Sequence, residues 1–99
     1  MTEYNRSWEV ALDTEEDDII WTREEEIHSL MTEAFGHDHN IKYEVVSMNK
    51  INSFVRQVYE FYIDVDPNSR KVGQGTLEIF QENDYLKYIL TLEVYESVK

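Results

Sequence analysis

The sequence predicts an α+β domain: one helix packed on a four- to five-stranded antiparallel sheet, in the order β-α-β-β-β-β. Three observations predict it. Apolar residues recur at helical spacing over one segment, which ends at Phe35. Elsewhere they alternate with polar residues, the period of half-buried strands. The later alternating segments are joined by short turns rich in Asn, Asp and Pro, so those four strands should form an antiparallel meander. A chain of 99 residues is expected to form a single domain over 1–99.

The first strand is expected over Ser7 to Asp13, where Trp8, Val10 and Leu12 alternate with Glu9 and Asp13. Thr14 to Asp18 reads as a charged loop, followed by the apolar triplet Ile19-Ile20-Trp21. Thr22 and Glu25 have the spacing of a capping box. Glu24, Glu25 and Glu26 would then occupy the first helical turn, where the helix dipole favours negative charge. Ile27, Leu30, Met31, Ala34 and Phe35 form one apolar stripe, and Gly36 stands where a C-terminal glycine belongs. The helix is therefore expected over Arg23 to Phe35.

After Gly36-His37-Asp38-His39-Asn40 the period becomes two. Ile41, Tyr43 and Val45 alternate with Lys42 and Glu44, and a turn is expected near Asn49 to Asn52. A strand follows over Phe54 to Val65, then an Asp66-Pro67-Asn68-Ser69 turn. A shorter strand is expected over Thr76 to Gln81, then a turn at Glu82-Asn83-Asp84 and a long strand over Tyr85 to Val98.

One helix covers one sheet face. The covered face is expected to carry Ile41, Tyr43, Val45, Val55, Tyr59, Phe61, Ile63, Leu77, Ile79, Leu86, Tyr88, Leu90 and Leu92. The other would present Val46, Met48, Phe54, Val58, Tyr62, Phe80, Tyr85, Ile89 and Tyr95 among charged residues. That is more apolar than a solvated face should be. Either the Ile19-Ile20-Trp21 triplet covers part of it, or it meets a partner, a second copy included. Phe54, Tyr62, Tyr85, Ile89 and Tyr95 are the candidate interface residues.

The charge narrows the partners. The net charge is -12 at neutral pH. Between Glu9 and Glu33 ten carboxylates face one arginine, Arg23, a net of -9. Such a field repels nucleic acid and anionic lipid and attracts basic protein surfaces. Direct nucleic-acid or membrane binding is therefore not expected. Residues four apart on a helix stand about 6 Å apart, close to the repeat of phosphates along a strand, so carboxylates on a helix can imitate a phosphate row. The candidate partner-binding residues are Asp13, Glu15, Glu16, Asp17, Asp18, Glu24, Glu25, Glu26 and Glu33, and the expected partner is a basic nucleic-acid-binding protein.

Other chemistries find little support. With no cysteine, disulfides and thiolate chemistry are excluded. His37-Asp38-His39, with His28, is a weak metal pattern. Asp64-Val65-Asp66-Pro67-Asn68 opens like a calcium loop, but Ser69 stands where that loop needs glycine and Gly75 where it needs glutamate. Val72-Gly73-Gln74-Gly75 precedes a strand, so it is no phosphate loop. No nucleophile elbow or carboxylate dyad is recognisable. No metal, cofactor or catalytic residue is expected. The N-terminus has no apolar signal core and no segment is long enough to span a membrane, so a cytoplasmic protein is expected.

The predicted element order resembles the cystatins, in which one helix lies across an antiparallel sheet and which would imply inhibition of papain-like proteases. Cystatins enter those proteases with a Gln-x-Val-x-Gly hairpin and a Pro-Trp loop. The nearest stretch here, Gln57-Val58-Tyr59-Glu60-Phe61, has no glycine, and neither Trp8 nor Trp21 follows a proline. In composition and size the chain is similar to small acidic phage and bacterial inhibitors of nucleic-acid enzymes: anti-CRISPR, antirestriction and nuclease-immunity proteins. These groups share charge and size rather than a motif. The expected function is thus a non-enzymatic binding protein that blocks a basic nucleic-acid-binding surface. The alternatives are an assembly protein acting through its sheet, as a dimer for instance, or a cystatin-like inhibitor.

Overall fold

A computed structural model of the protein describes residues 2–36, 41–52, 54–65 and 68–95. The elements run β1 (Thr2–Ala11), α1 (Glu16–Phe35), β2 (Ile41–Ile51), β3 (Phe54–Val65), β4 (Asn68–Glu82) and β5 (Tyr85–Val94). The five strands form one antiparallel sheet in the order β1-β5-β4-β3-β2. This is the predicted α+β architecture, with the last four strands as a meander. β1 pairs with the final strand, β5, so α1 carries the chain from one sheet edge to the other.

The helix is longer than expected. It begins at Glu16, with Glu15 as N-cap in an extended conformation and no side-chain cap. Thr22 and Glu25 lie inside it, so their capping-box spacing is coincidental. Glu16, Asp17 and Asp18, expected in a loop, form the first turn and complement the helix dipole; Glu24, Glu25 and Glu26 do not. The apolar stripe explains the longer helix. Ile19 continues it N-terminally and packs against the core, and Arg23, about one turn on, is half-buried. At the other end Gly36 takes φ 89° and donates its N–H to Thr32 O at 2.8 Å.

Three strands also differ from expectation. β1 runs over Thr2–Ala11 rather than Ser7 to Asp13, because its partner β5 continues alongside to Val94. Within that pairing Trp8 stacks on Tyr88, with ring centroids 5.1 Å apart. The strand expected to end at Val98 ends at Val94, and 96–99 lie outside the described residues. β4 starts at Asn68 rather than Thr76, so Val72-Gly73-Gln74-Gly75 lies within it. Its two glycines make room rather than break the strand. A Cβ on Gly73 would stand 2.6 Å from Glu93 O and 3.2 Å from the Phe35 ring; on Gly75 it would stand 2.8 Å from the Phe61 ring. Gly73 pairs across the ladder with Phe61, and Gly75 with Tyr59. Each glycine thus frees the space that a neighbouring aromatic ring occupies.

The core lies between α1 and one sheet face. Ile27, Leu30, Met31 and Phe35 meet Tyr59, Phe61, Val72, Leu77, Tyr88, Leu90 and Leu92 there. Most of the face list deduced from alternation is correct. The exceptions lie in β2, where a bulge at Val46 shifts the register between Val45 and Ser47. Beyond the bulge the facing is inverted. Met48, expected on the outer face, pairs with Gln57 on the helix side, and its sulfur accepts from Gln57 Nε2 at 3.4 Å. Val45 is on the helix side as expected but is 50% exposed, because α1 does not cover it. The Ile19-Ile20-Trp21 triplet does not cover the outer face either; it belongs to α1, on the opposite side of the sheet.

Turn chemistry agrees with the sequence. Asn52 and Asn83 adopt positive φ of 55° and 47° at the hairpin ends, a conformation asparagine tolerates.

Replacing Gly75 by alanine should destabilise the fold by about 1–3 kcal/mol, the usual cost of overpacking. Urea unfolding measures it; an unchanged midpoint would show that the Phe61 ring does not depend on that space.

Candidate partner-binding site

The nine acidic residues singled out above fall into two groups. Asp13, Glu15, Glu16, Asp17, Asp18 and Glu25 are exposed and have no ion-pair partner among the described residues. They crowd the start of α1 and the turn before it. That turn is fixed to the sheet: Leu12 N–H donates to Asp84 O at 2.9 Å, and Thr14 N–H to Ala11 O at 3.1 Å.

The other three are engaged within the molecule. Arg6 of β1 donates to Glu33 at 2.8 Å and lies 3.9 Å from Glu26. Glu24 accepts from the Tyr43 hydroxyl and lies 3.7 Å from Arg23. The structure therefore concentrates uncompensated charge in the N-terminal half of the helix and the turn before it, whereas the sequence carries its acidic block on to Glu33. The one arginine of α1, Arg23, lies beside Glu24, and its Nε is buried without a hydrogen-bond partner among the described residues.

Apolar side chains punctuate this acidic surface. Trp21 is 63% exposed, and Leu12 and Ile20 are also exposed. Trp21 lies nine residues, two and a half turns, before the buried Leu30, so it points away from the core. With Glu24, Glu25, Glu26, His28, Ser29 and Thr32 it lines a shallow depression of about 570 Å³ on the helix. Sequence reasoning offered Trp21, with Ile19 and Ile20, as one of two alternatives for covering the outer face and missed it as a surface residue. The signal that finds it is its phase against the Ile27-Leu30-Met31 stripe. An exposed tryptophan among carboxylates can pack on a lysine or arginine stem and attract its cation to the ring face.

One margin of the site is tied to the sheet through Tyr43. Its hydroxyl bonds Glu24, and its ring meets His28 edge-on and packs near Tyr59 and Phe61. Burial, reinforced by the bond to Glu24, raises the Tyr43 phenol well above its ordinary value. Burial also raises Tyr59 and Tyr88, against the nearby Arg23 cation.

The candidate interface residues on the outer face are half-buried, apart from the exposed Tyr95, and each rests on its own neighbours. Phe54 packs on Phe80 with centroids 4.9 Å apart. Tyr62 bonds Glu60, Tyr85 bonds Glu82 and Tyr95 bonds Gln74, all at 2.8–2.9 Å. Lys71 pairs with Glu60 and lies 5.3 Å from the Tyr95 ring centroid. Their hydrogen bond holds the Glu60 carboxyl below its usual value and the Lys71 ammonium above. Ile89 stands between Ser7 and Glu78 across the sheet. Exposed large apolar residues lie elsewhere: Val45, Val46, Met48 and Ile51 in β2, besides those of the helix region.

His37, Asp38 and His39 lie outside the described residues, as do Asp66 and Pro67 of the calcium-like sequence. No described helix is long and apolar enough to cross a membrane. Gln57 to Phe61 lies mid-strand in β3, with Tyr59 and Phe61 buried, not in a hairpin loop. No family model matches the chain, and no curated protein or solved structure is significantly similar to it. Fold and surface together define a small α+β protein that displays an acidic helix end studded with apolar side chains.

The tyrosines give a check on this geometry. Folding favours the neutral phenol at Tyr43, Tyr59 and Tyr88. Their contribution is complete below the ordinary phenol value of about 10 and is lost as pH rises through the raised folded value. In an ultraviolet titration these three of the seven tyrosines should stay protonated until the protein unfolds in alkali. Tyr43→Phe, which removes the bond to Glu24, should cost about 1 kcal/mol in urea unfolding. Full ionisation of all seven in the folded protein would contradict the burial.

Proposed function

We propose that the protein is a non-enzymatic acidic inhibitor that occupies a basic, nucleic-acid-binding surface of a target protein. The observation that carries this reading is the loading of one helix. Seven carboxylates and one arginine share the 20 residues of α1, a rod about 30 Å long. Its N-terminal half, the cap and the turn before it hold the carboxylates that lack ion-pair partners among the described residues. They stand on a helix fixed along its whole apolar stripe, so presenting them costs little further ordering. Asp18 and Glu25, seven residues or about two turns apart, stand on one face of the helix that a basic groove can meet. Trp21 and Ile20 supply the apolar contact that a charge-only encounter lacks.

The field steers a basic partner to this end of the molecule and disfavours direct binding of nucleic acid or anionic lipid. The same chemistry describes a phage or bacterial inhibitor acting in the cytoplasm against a CRISPR, restriction or toxin nuclease. A second reading, an assembly subunit working through its sheet, is favoured by one observation: the exposed apolar side chains of β2.

The test is capture from a bacterial lysate at low and at high salt, with bound proteins identified by mass spectrometry. Wild type should retain a basic nucleic-acid-binding protein at low salt and lose most of it at high salt, since the Debye length falls from about 10 Å at 0.1 M to about 3 Å at 1 M. A variant with Glu15, Glu16 and Glu25 changed to Gln and Asp17 and Asp18 to Asn should lose at least about tenfold in retention, and Trp21→Ala a similar amount. Retention that is indifferent to salt and to these changes would contradict the proposal.

A further inference from the structure

The depression beside Trp21 calls for a narrower chemistry than a basic surface in general. Three carboxylates line it, those of Glu24, Glu25 and Glu26. Two are engaged within the fold: Glu24 accepts from the Tyr43 hydroxyl and lies beside Arg23, and Glu26 lies 3.9 Å from Arg6. Glu25 is exposed and has no ion-pair partner among the described residues. One free carboxylate therefore shares the depression with one indole, which is 63% exposed.

Helix geometry sets the two together. Glu25 follows Trp21 by four residues, so they are neighbours on one face, about 5–6 Å apart at Cβ. Side chains on a helix lean toward its N-terminus, which carries the Glu25 carboxylate toward the indole. The same lean carries the indole toward Asp17 and Asp18, which also have no ion-pair partner among the described residues. The ring thus stands between uncompensated carboxylates along the helix. The core makes no use of this face; its helical members are Ile27, Leu30, Met31 and Phe35.

We propose that the depression receives an arginine side chain of the target, with the guanidinium flat on the Trp21 ring and its in-plane N–H groups donating to Glu25. The inference rests on the acidic-inhibitor reading and names the cation that the helix selects. A guanidinium is planar, weakly hydrated and carries five N–H donors in its plane. It can stack on an indole and donate to a carboxylate at the ring's margin at the same time. The Ser29 hydroxyl, one turn beyond Glu25, offers a further acceptor in the same depression. A lysine ammonium is a compact, strongly hydrated charge without a flat face, so it gains from the acidic field and little from the ring. Arginine also suits a surface that holds nucleic acid, because the fork that takes a phosphate takes a carboxylate in the same way.

Octa-arginine and octa-lysine peptides carry the same charge and separate the effect of the ring from that of the field. Each is titrated at low salt while the indole N–H signals of the two tryptophans are followed by NMR; Trp21→Leu identifies the signal of Trp21. The arginine peptide should shift that signal and bind about three- to fivefold tighter than the lysine peptide. Trp21→Leu should abolish the preference, leave the affinity for the lysine peptide as it was, and keep the circular dichroism spectrum, since Trp21 is mostly exposed. Glu25→Gln should weaken the arginine peptide more than Glu16→Gln does, although each removes one unpaired charge. Equal affinities for the two peptides, or a preference that survives Trp21→Leu, would overturn the inference and leave the acidic-inhibitor reading standing. Binding of neither peptide at low salt would overturn both.

Discussion

The rest of the structure depends on the close seating of two phenylalanine rings on two glycines. Phe35, at the end of α1, lies over Gly73, and Phe61 lies against Gly75. A methyl group at either glycine would meet a ring or a backbone oxygen. The empty positions let both rings sit against β4, while α1 itself comes closest to β1 and β5. The seating of Phe35, with Ile27, Leu30 and Met31, in the core fixes which side of α1 faces inward, and hence which side carries charge to solvent. An acidic helix is common; one whose apolar stripe is locked from Ile19 to Phe35 holds its carboxylates at fixed positions.

The interior sorts the charges further. Arg6 reaches from β1 to Glu26 and Glu33, and Tyr43 reaches from β2 to Glu24. Exposed ion pairs contribute little to stability, up to about 1 kcal/mol. Their consequence here is electrostatic: they partly neutralise the C-terminal part of the helix and leave its N-terminal end as the strongest negative surface. Glu16, Asp17 and Asp18 then serve two purposes. They stabilise the first turn against its dipole, and they remain open to a cation from outside. Their place in the first turn thus gives these three carboxylates a structural reason and leaves their display intact.

Much of this was legible in the sequence. The period change after Phe35 separates helix from strands, the turns at Asn52 and Asn83 delimit strands of the meander, and alternation predicts the inward residues Tyr59, Phe61, Leu77, Tyr88, Leu90 and Leu92 correctly. The helix start was not legible, because Thr22 and Glu25 match a capping box while the true N-cap, Glu15, makes no side-chain cap. The bulge at Val46 has no glycine or proline to announce it, so Met48 was placed on the wrong face. The length of β4 was hidden because Val72-Gly73-Gln74-Gly75 reads as a stretch that precedes a strand, whereas its glycines lie within β4 and admit rings from elsewhere in the fold. The pairing of β1 with β5 joins the two ends of the chain, from Ala11 with Tyr85 to Thr2 with Val94, and no local pattern encodes it. At the site, the acidic residues were visible as a block. Their division into engaged and free members was not, since it depends on Arg6 and Tyr43, which approach only in the folded chain.

The central claim is that the acidic end of α1 takes the place of nucleic acid on a basic surface. The most direct measurement uses the target captured from lysate, loaded with a fluorescently labelled nucleic acid, and follows anisotropy as this protein is added. A blocking protein displaces the label completely, and higher salt weakens its own hold on the target steeply. A stable ternary complex, with the label retained at saturating protein, would contradict the claim and place the functional surface elsewhere.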